Sequence, residues 1–491
     1  MATTLASSMA FIDGTVVNVA LPALQAELNA SIIDVQWVIE AYSLLLAALL
    51  LMGGSLGDHY GRRRIFVIGV ALFAVSSAWC GFAANIGQLI AARAAQGIGA
   101  ALLVPGSLAI ISSSFSEKER GRAIGTWSGF SAMTTAVGPV IGGWLIEHIS
   151  WRVVFFINVP IALLVIVVSL RSVPESSDKE SAGLDWRGAI VGTLGLGALV
   201  YGLLESSRLG FSALSVLAAL VAAGALLALF CVIEARIANP MLPLALFHSR
   251  IFSAANVLTF LLYGALGGTL FFLPLNLIQV QRYSATAAGA ALLPFVLLIS
   301  LLSRWSGGFV EKYGPKLPLI IGPLIAAFGF ALFIPPSVGG SYWRSFFPAI
   351  VLLGLGMAIS VAPLTTIVMN SVAQNRVGIA SGVNNAIARS AGLLAIAVLG
   401  IVMLQVFSRG LDRRLEEWNV PQAVSRSLQV ERTKLAAITL PADQSPATRQ
   451  LIRRAVDESF VSGFRAVMLI GTVLTLASAA TALTLTGRAN V

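Results

Sequence analysis

The sequence predicts an all-α polytopic membrane protein that crosses the bilayer fourteen times. Three observations carry this. The 491 residues are 57% hydrophobic and only 11% charged, where a soluble domain carries about 25% charged residues. Mean hydropathy is +0.87. The apolar residues also form continuous stretches of the roughly 20 residues that a spanning helix needs. A β-barrel would instead alternate apolar and polar residues in segments of about 10. An ordinary cytosolic enzyme and a disordered chain are excluded, and the 46 glycines lack a collagen period.

In order, the spans read 4–22, 36–56, 65–84, 87–113, 121–146, 152–170, 184–204, 212–234, 252–280, 286–308, 317–336, 343–369, 377–407 and 460–486. The first is followed by Pro22 and a polar loop rather than a small-residue cleavage site, so it reads as a span and not a leader. Residues 172–183 (SVPESSDKESAG) are polar and proline-broken, which makes them a linker. Residues 235–250, with Pro240 and Pro243, form a second connection. Segment 408–459 is the long hydrophilic stretch, amphipathic near Arg409–Trp418 and again over 445–458. It reads as a solvated or surface-lying loop, or as a substrate lid.

An even number of spans puts both termini on one side. With the N-terminus cytoplasmic, Arg62, Arg63, Arg64, Lys118, Arg120, Arg122, Arg171, Lys179 and Arg187 fall in inward loops. The short outward loops then hold Arg152, Arg208, Arg282 and Arg344. That asymmetry places both termini in the cytoplasm and the chain in the cytoplasmic (inner) membrane. The net charge of +10 is therefore topological and lipid-facing, and no nucleic-acid partner is implied. Cys80 and Cys231 sit in apolar stretches, and the three histidines lack ligand spacing, so neither a metal nor an organic cofactor is expected.

The chain contains an internal repeat. After the second span it reads Gly57-Asp58-His59-Tyr60-Gly61-Arg62-Arg63, and after the tenth Val310-Glu311-Lys312-Tyr313-Gly314-Pro315-Lys316. Acid, Tyr, Gly and base recur at the same spacing. Parallel repeats of this kind indicate a transporter of two related bundles. The offset of eight spans leaves two extra helices between two bundles of six. The domains are thus 1–172, the inserted pair 184–234, and 245–491.

Several charged or helix-bending groups lie within spans. Asp13 sits nine residues before Pro22, about 13 Å from that end, and Arg93 about 9 Å inside the fourth span. Charges in hydrocarbon face a cavity or a partner, and Arg does not deprotonate. Asp13 and Arg93 therefore read as a pair in which the Arg charge and desolvation act on Asp13 in opposite senses, or as a static buried pair. Glu40 is a second intramembrane acid, either a proton or cation site or a water-exposed residue at the outer mouth. Gly138-Pro139-Val140-Ile141-Gly142-Gly143 in the fifth span combines a helix bend with close helix contact. Asn18, Gln96, Asn256, Asn384 and Arg389 are candidate cavity residues.

These motifs, in this order on these helices, resemble the fourteen-helix drug:proton antiporter branch of the major facilitator superfamily over essentially the whole length. The resemblance implies that Asp13 and Arg93 serve proton coupling. It implies that Asp58 caps the helix beginning near Gly378, with Gly61, Arg62, Arg63, Glu311, Gly314 and Lys316 completing a cytoplasmic gate. It implies that Gly138, Pro139, Gly142 and Gly143 mark an exporter. The family's additional acid in the tenth or thirteenth helix is absent here, and Asn384, Asn385 and Arg389 stand in the thirteenth.

No G-x-x-x-x-G-K-[ST] is present, so the chain has no P-loop. No H-E-x-x-H or G-x-S-x-G lies within the spans, so no enzyme is expected. The expected function is proton-coupled export of amphipathic organic compounds by alternating access. A dedicated exporter of one endogenous metabolite, lipid or antibiotic is the alternative, ahead of a nutrient importer. The expected partners are a small amphipathic molecule, protons and the bilayer. The chain reads as a monomer, with a periplasmic adaptor left open because no motif for one is readable.

Overall fold

The computed structural model describes residues 1–115, 117–177, 185–314, 316–372, 376–418, 420–440 and 444–483. Among these the regular structure is helical throughout. The first set is α1 (Ala2–Glu27), α2 (Ile32–Tyr60), α3 (Arg62–Phe82), α4 (Ile86–Ser114), α5 (Glu117–His148), α6 (Val153–Phe156) and α7 (Asn158–Ser172). Then come α8 (Trp186–Leu209) and α9 (Leu214–Arg236). The last set is α10 (Arg250–Leu275), α11 (Ala285–Ala291), α12 (Leu293–Tyr313), α13 (Lys316–Leu332), α14 (Tyr342–Ser345), α15 (Phe347–Asn370), α16 (Val377–Glu417), α17 (Gln422–Glu431) and α18 (Pro446–Leu483). Twelve described helical stretches are long and apolar enough to cross a membrane. The apolar α13 is shorter, and α5 is 32 residues long.

The helix ends follow from local chemistry. Ser31 and Asp34 form a reciprocal capping box at the start of α2 (3.2 and 2.8 Å). Asn85 caps α4 and Asp185 caps α8, each cap contributing about 1 kcal/mol. Two spans are interrupted near a proline, which lacks the N–H to continue the helix ladder: α6 and α7 before Pro160, α11 and α12 before Pro294. Gly61 (φ 108°) and Gly314 (φ 71°) both take the left-handed region at the turns of the sequence repeat.

Packing divides the helices into two groups. α1 lies against α4, α5 and α7, while α4 also packs on α2 and α3. α10 lies against α16 and α18, and α15 against α12 and α13. α8 pairs with α9, whose side chains Phe230, Leu227 and Leu220 fill the space over Gly192, Gly195 and Gly202. α8 also touches α2 and α16, one from each group.

The segment 408–459 differs from the expected loop. The thirteenth span runs on as helix to Glu417, and α18 begins at Pro446. The two amphipathic pieces are thus extensions of membrane helices, because nothing in 408–417 or 446–459 breaks the helix ladder. What lies between is a strap of α17 and a 3-10 turn, Arg432–Ala437. It ties the groups together at the end of the bundle that holds Gln25. The Gln25 amide donates to the Lys434 carbonyl (2.9 Å) and accepts from Gln279 (2.8 Å), and Arg453 donates to the carbonyls of Ala436 and Gln279.

The Gln25 end is closed by glycine contacts as well. Gly138 and Gly142 lie against Thr15 and Val16 of α1, whereas Gly143 abuts the Ala285 carbonyl of α11 and Gly289 abuts the Pro139 carbonyl. A Cβ at Gly143 or Gly289 has no room. At the opposite end a Cβ at Gly378 would meet nothing within 4 Å, whereas one at Gly382, a turn further on, would meet Leu51 of α2. Overpacking of a tight contact costs about 1–3 kcal/mol, a shift of about 5- to 150-fold in a two-state equilibrium. Gly143→Val is therefore expected to raise the rate at which a maleimide labels a cysteine at Ala23, beside this seam, by at least the lower factor. An unchanged rate would show that the α5–α11 crossing does not hold this end shut.

Candidate functional site

The site is built where α1, α2, α4 and α7 meet. Asp13 is fully buried and Arg93 is 1% exposed. Asp13 Oδ2 lies 2.5 Å from Arg93 Nη1. Gln96, three residues on along α4, accepts from the same Nη1 (2.7 Å) and donates to Asp13 Oδ1 (2.9 Å). Asn158 donates to Asp13 Oδ1 (3.3 Å) and to Ser77 Oγ (2.9 Å). Arg93 Nε donates to the Val38 carbonyl (3.1 Å), and the guanidinium lies 4.2 Å over the Tyr42 ring. Asp13 thus accepts from three side chains on two neighbouring helices, the partner set of a carboxylate. Its charge is thus shared by donors from α4 and from α7.

Sequence reading reached Asp13, Arg93 and Gln96 and missed Asn158, Ser77 and Tyr42. Asn158 carries a readable signal, a lone amide beside the Pro160 break. Ser77 and Tyr42 carry none, because hydroxyls are common in spans and only the folded position gives them a role.

Glu40 is buried, and neither carboxylate oxygen has a hydrogen-bond partner among the described residues. This corrects the outer-mouth alternative. Its neighbours along α2 explain why. Gln36 donates to the Ile396 carbonyl of α16 (2.9 Å), Trp37 meets Tyr201 of α8, and Leu44 lies beside Gly197 of α8. Glu40, one turn from Gln36 and from Leu44, shares this face at the junction of α2, α8 and α16.

The remaining expected residues fall in three places. Asn256 is buried and accepts from Asn384 (3.0 Å), which also donates to Thr259, so these tie α16 to α10. Asn18 is partly exposed and donates to the Gly14 carbonyl of its own helix. Arg389 is partly exposed on α16 and has no ion pair or hydrogen bond among the described residues.

At the gate, Asp58 pairs with Arg62 (2.7 Å) and does not reach Gly378. The α3 N-terminus is occupied instead by Glu175 from the linker, which accepts from the amides of Arg63 (3.0 Å) and Arg64 (3.2 Å). Sequence reading treated this linker as featureless. The Glu311 side chain lies outside the described residues, as do linker residues 178–184, and Lys316 is exposed at the start of α13.

Comparison with known proteins adds a family. The Major Facilitator Superfamily model matches residues 3–396. The chain is 33% identical to the Multidrug resistance protein Stp of Mycobacterium tuberculosis, over 96% of this chain and 88% of that protein. It is also 33% identical to the Tetracenomycin C resistance and export protein of Streptomyces glaucescens, over 97% and 89%. Among solved structures it is similar to a bacterial homologue of the human lysosomal transporter Spinster, inward-facing and unoccupied. That TM-score is 0.68, with 18% identity over 98% of this chain and 96% of the other. On the extent of the family match and of both relatives, this chain belongs to the major facilitator superfamily.

Proposed function

We propose that this chain is a proton-coupled antiporter that exports amphipathic organic compounds across the cytoplasmic membrane by alternating access. The observation that carries the coupling is the buried Asp13–Arg93 pair with its Gln96 and Asn158 donors. The export direction is supported by relatives named for drug resistance and export and by the glycine-proline run of α5. In this reading α5 and α13 join the twelve long apolar spans to give fourteen. Both termini are cytoplasmic, and α8 and α9 are inserted between domains 1–172 and 245–491. A dedicated exporter of one endogenous compound is the alternative and uses the same machinery.

The strapped Gln25 end is then the outer face, closed, and the Gly61 end is the inner face, open. A proton arriving from outside neutralises Asp13 and frees α1 from its donors. Return of Asp13 to the carboxylate, with release of the proton inward, restores the pair in the state described above. One proton crossing 100 mV supplies about 2.3 kcal/mol. When the inner face closes, Asp58 leaves Arg62 for the start of α16 at Gly378. Cysteines at these two positions should crosslink in the Gly143→Val background and stay separate without it.

Inside-out vesicles with an acid lumen and a pH-sensitive dye test the reading. Addition of a transported compound should trigger proton efflux, and Asp13→Asn should abolish the response. Efflux that persists in Asp13→Asn would remove Asp13 from coupling.

The pair also makes a stability prediction. Removing one member of a buried ion pair costs about 3–5 kcal/mol, because it strands the other charge. Arg93→Gln alone should therefore lower the melting temperature in detergent more than Asp13→Asn with Arg93→Gln does. Equal losses would mean that the stranded Asp13 charge is not what the single substitution exposes. Glu40 is the second proposed proton site. Glu40→Gln should reduce the protons released per substrate exported, and an unchanged ratio would take Glu40 out of the coupling group.

A further inference from the structure

We propose that the substrate site selects amphipathic organic anions, a carboxylate, phenolate or acidic enol on an apolar ring system, and that Arg389 binds the anionic oxygen. This rests on the exporter reading and names the substrate class of the same site.

The inference begins with placement. α16 crosses α2 at two levels: Gly382 meets Leu51, and the Ile396 carbonyl meets Gln36. Arg389 lies between these crossings, on the helix that faces the other group. It is partly exposed and has no ion-pair or hydrogen-bond partner among the described residues. An intramembrane guanidinium that is always charged requires an acceptor, and none of the described carboxylates reaches it. Asp13 is saturated by Arg93, Gln96 and Asn158. Glu40 lies two residues from Tyr42, about 200° round α2, on the face that meets α8 and the Ile396 level of α16, and it forms no ion pair or hydrogen bond among the described residues.

Two phenols stand on the helices that pack on α16 near Arg389: Tyr263 of α10, next to Gly264, which faces the Ala391 carbonyl, and Tyr42 of α2, between the Gln36 and Leu51 crossings. Neither phenol has a hydrogen bond among the described residues, so both can donate. Asn385, one turn earlier on α16, is exposed and its amide is tied to the Ser381 carbonyl. Behind Tyr42 stands a second cation, Arg93. One unpaired positive charge flanked by hydroxyl donors fits an oxygen acceptor that carries negative charge. It repels an ammonium group.

The test uses the purified full-length protein in nanodiscs and three matched probes: 2-naphthoate, 2-naphthamide and 2-naphthylmethylammonium. Wild type should bind the carboxylate most tightly. Arg389→Gln should weaken the carboxylate by about tenfold, the scale of a hydrogen bond to a charged group, and leave the amide unchanged. Arg389→Lys, which keeps the charge, should retain part of the preference and guards against a folding defect in the first variant. Tightest binding of the ammonium probe, no preference among the three, or equal loss of carboxylate and amide in Arg389→Gln would each overturn the proposal. The two readings separate in vesicles. Proton efflux triggered only by cations or neutral compounds would leave the exporter and remove the anion. Anion binding lost in Arg389→Gln, without proton efflux for any compound, would keep the anion site and remove the antiporter.

Discussion

A carboxylate and a guanidinium inside a helical bundle of this hydropathy each lose several kcal/mol of hydration, and much of the N-terminal half is arranged around that constraint. Asp13 and Arg93 stand on different helices, so the electrostatic debt can be settled only by bringing α1 and α4 together. The extra lone pairs and N–H groups then recruit Gln96, Asn158, the Val38 carbonyl and the Tyr42 ring. One ion pair thus fixes the relative position of four helices.

The second organising feature is close backbone approach. Membrane helices gain little from burying apolar surface against one another, since lipid is as apolar as they are. Gly138 and Gly142 seat α1 on α5, and Gly143 and Gly289 seat α5 on α11. The same six-residue run therefore serves one contact inside its own helix group and one across to the other. The strap adds hydrogen bonds at that end. The closure of the Gln25 end comes from where small residues and strap amides are placed.

Much of the fold was legible because hydropathy over 20 residues is a local property. The span boundaries agree with the helix ends to within about five residues from 4–22 to 343–369, and the repeat foretold the paired turn glycines Gly61 and Gly314. The errors lie at helix ends. Arg409, Glu416 and Arg449 look like loop residues by hydropathy, yet a helix leaving the bilayer stays a helix when nothing breaks its ladder. In the site, Asp13 and Arg93 stood out because a charge in hydrocarbon is rare. Ser77, Asn158 and Tyr42 did not, because neutral polar residues are cheap enough there to be common.

The sequence by itself determined that this chain is a helical membrane protein with a repeated turn at Gly61 and Gly314, since apolar length and the repeat are written along the chain. It also marked which charges needed an explanation. Only the tertiary structure decided how each was answered: Asp13 met by Arg93, and Glu40 and Arg389 left without a hydrogen bond or ion pair among the described residues. Those outcomes depend on which helix faces stand opposite one another, and pairing across 80 or more residues is a property of packing that no local pattern encodes.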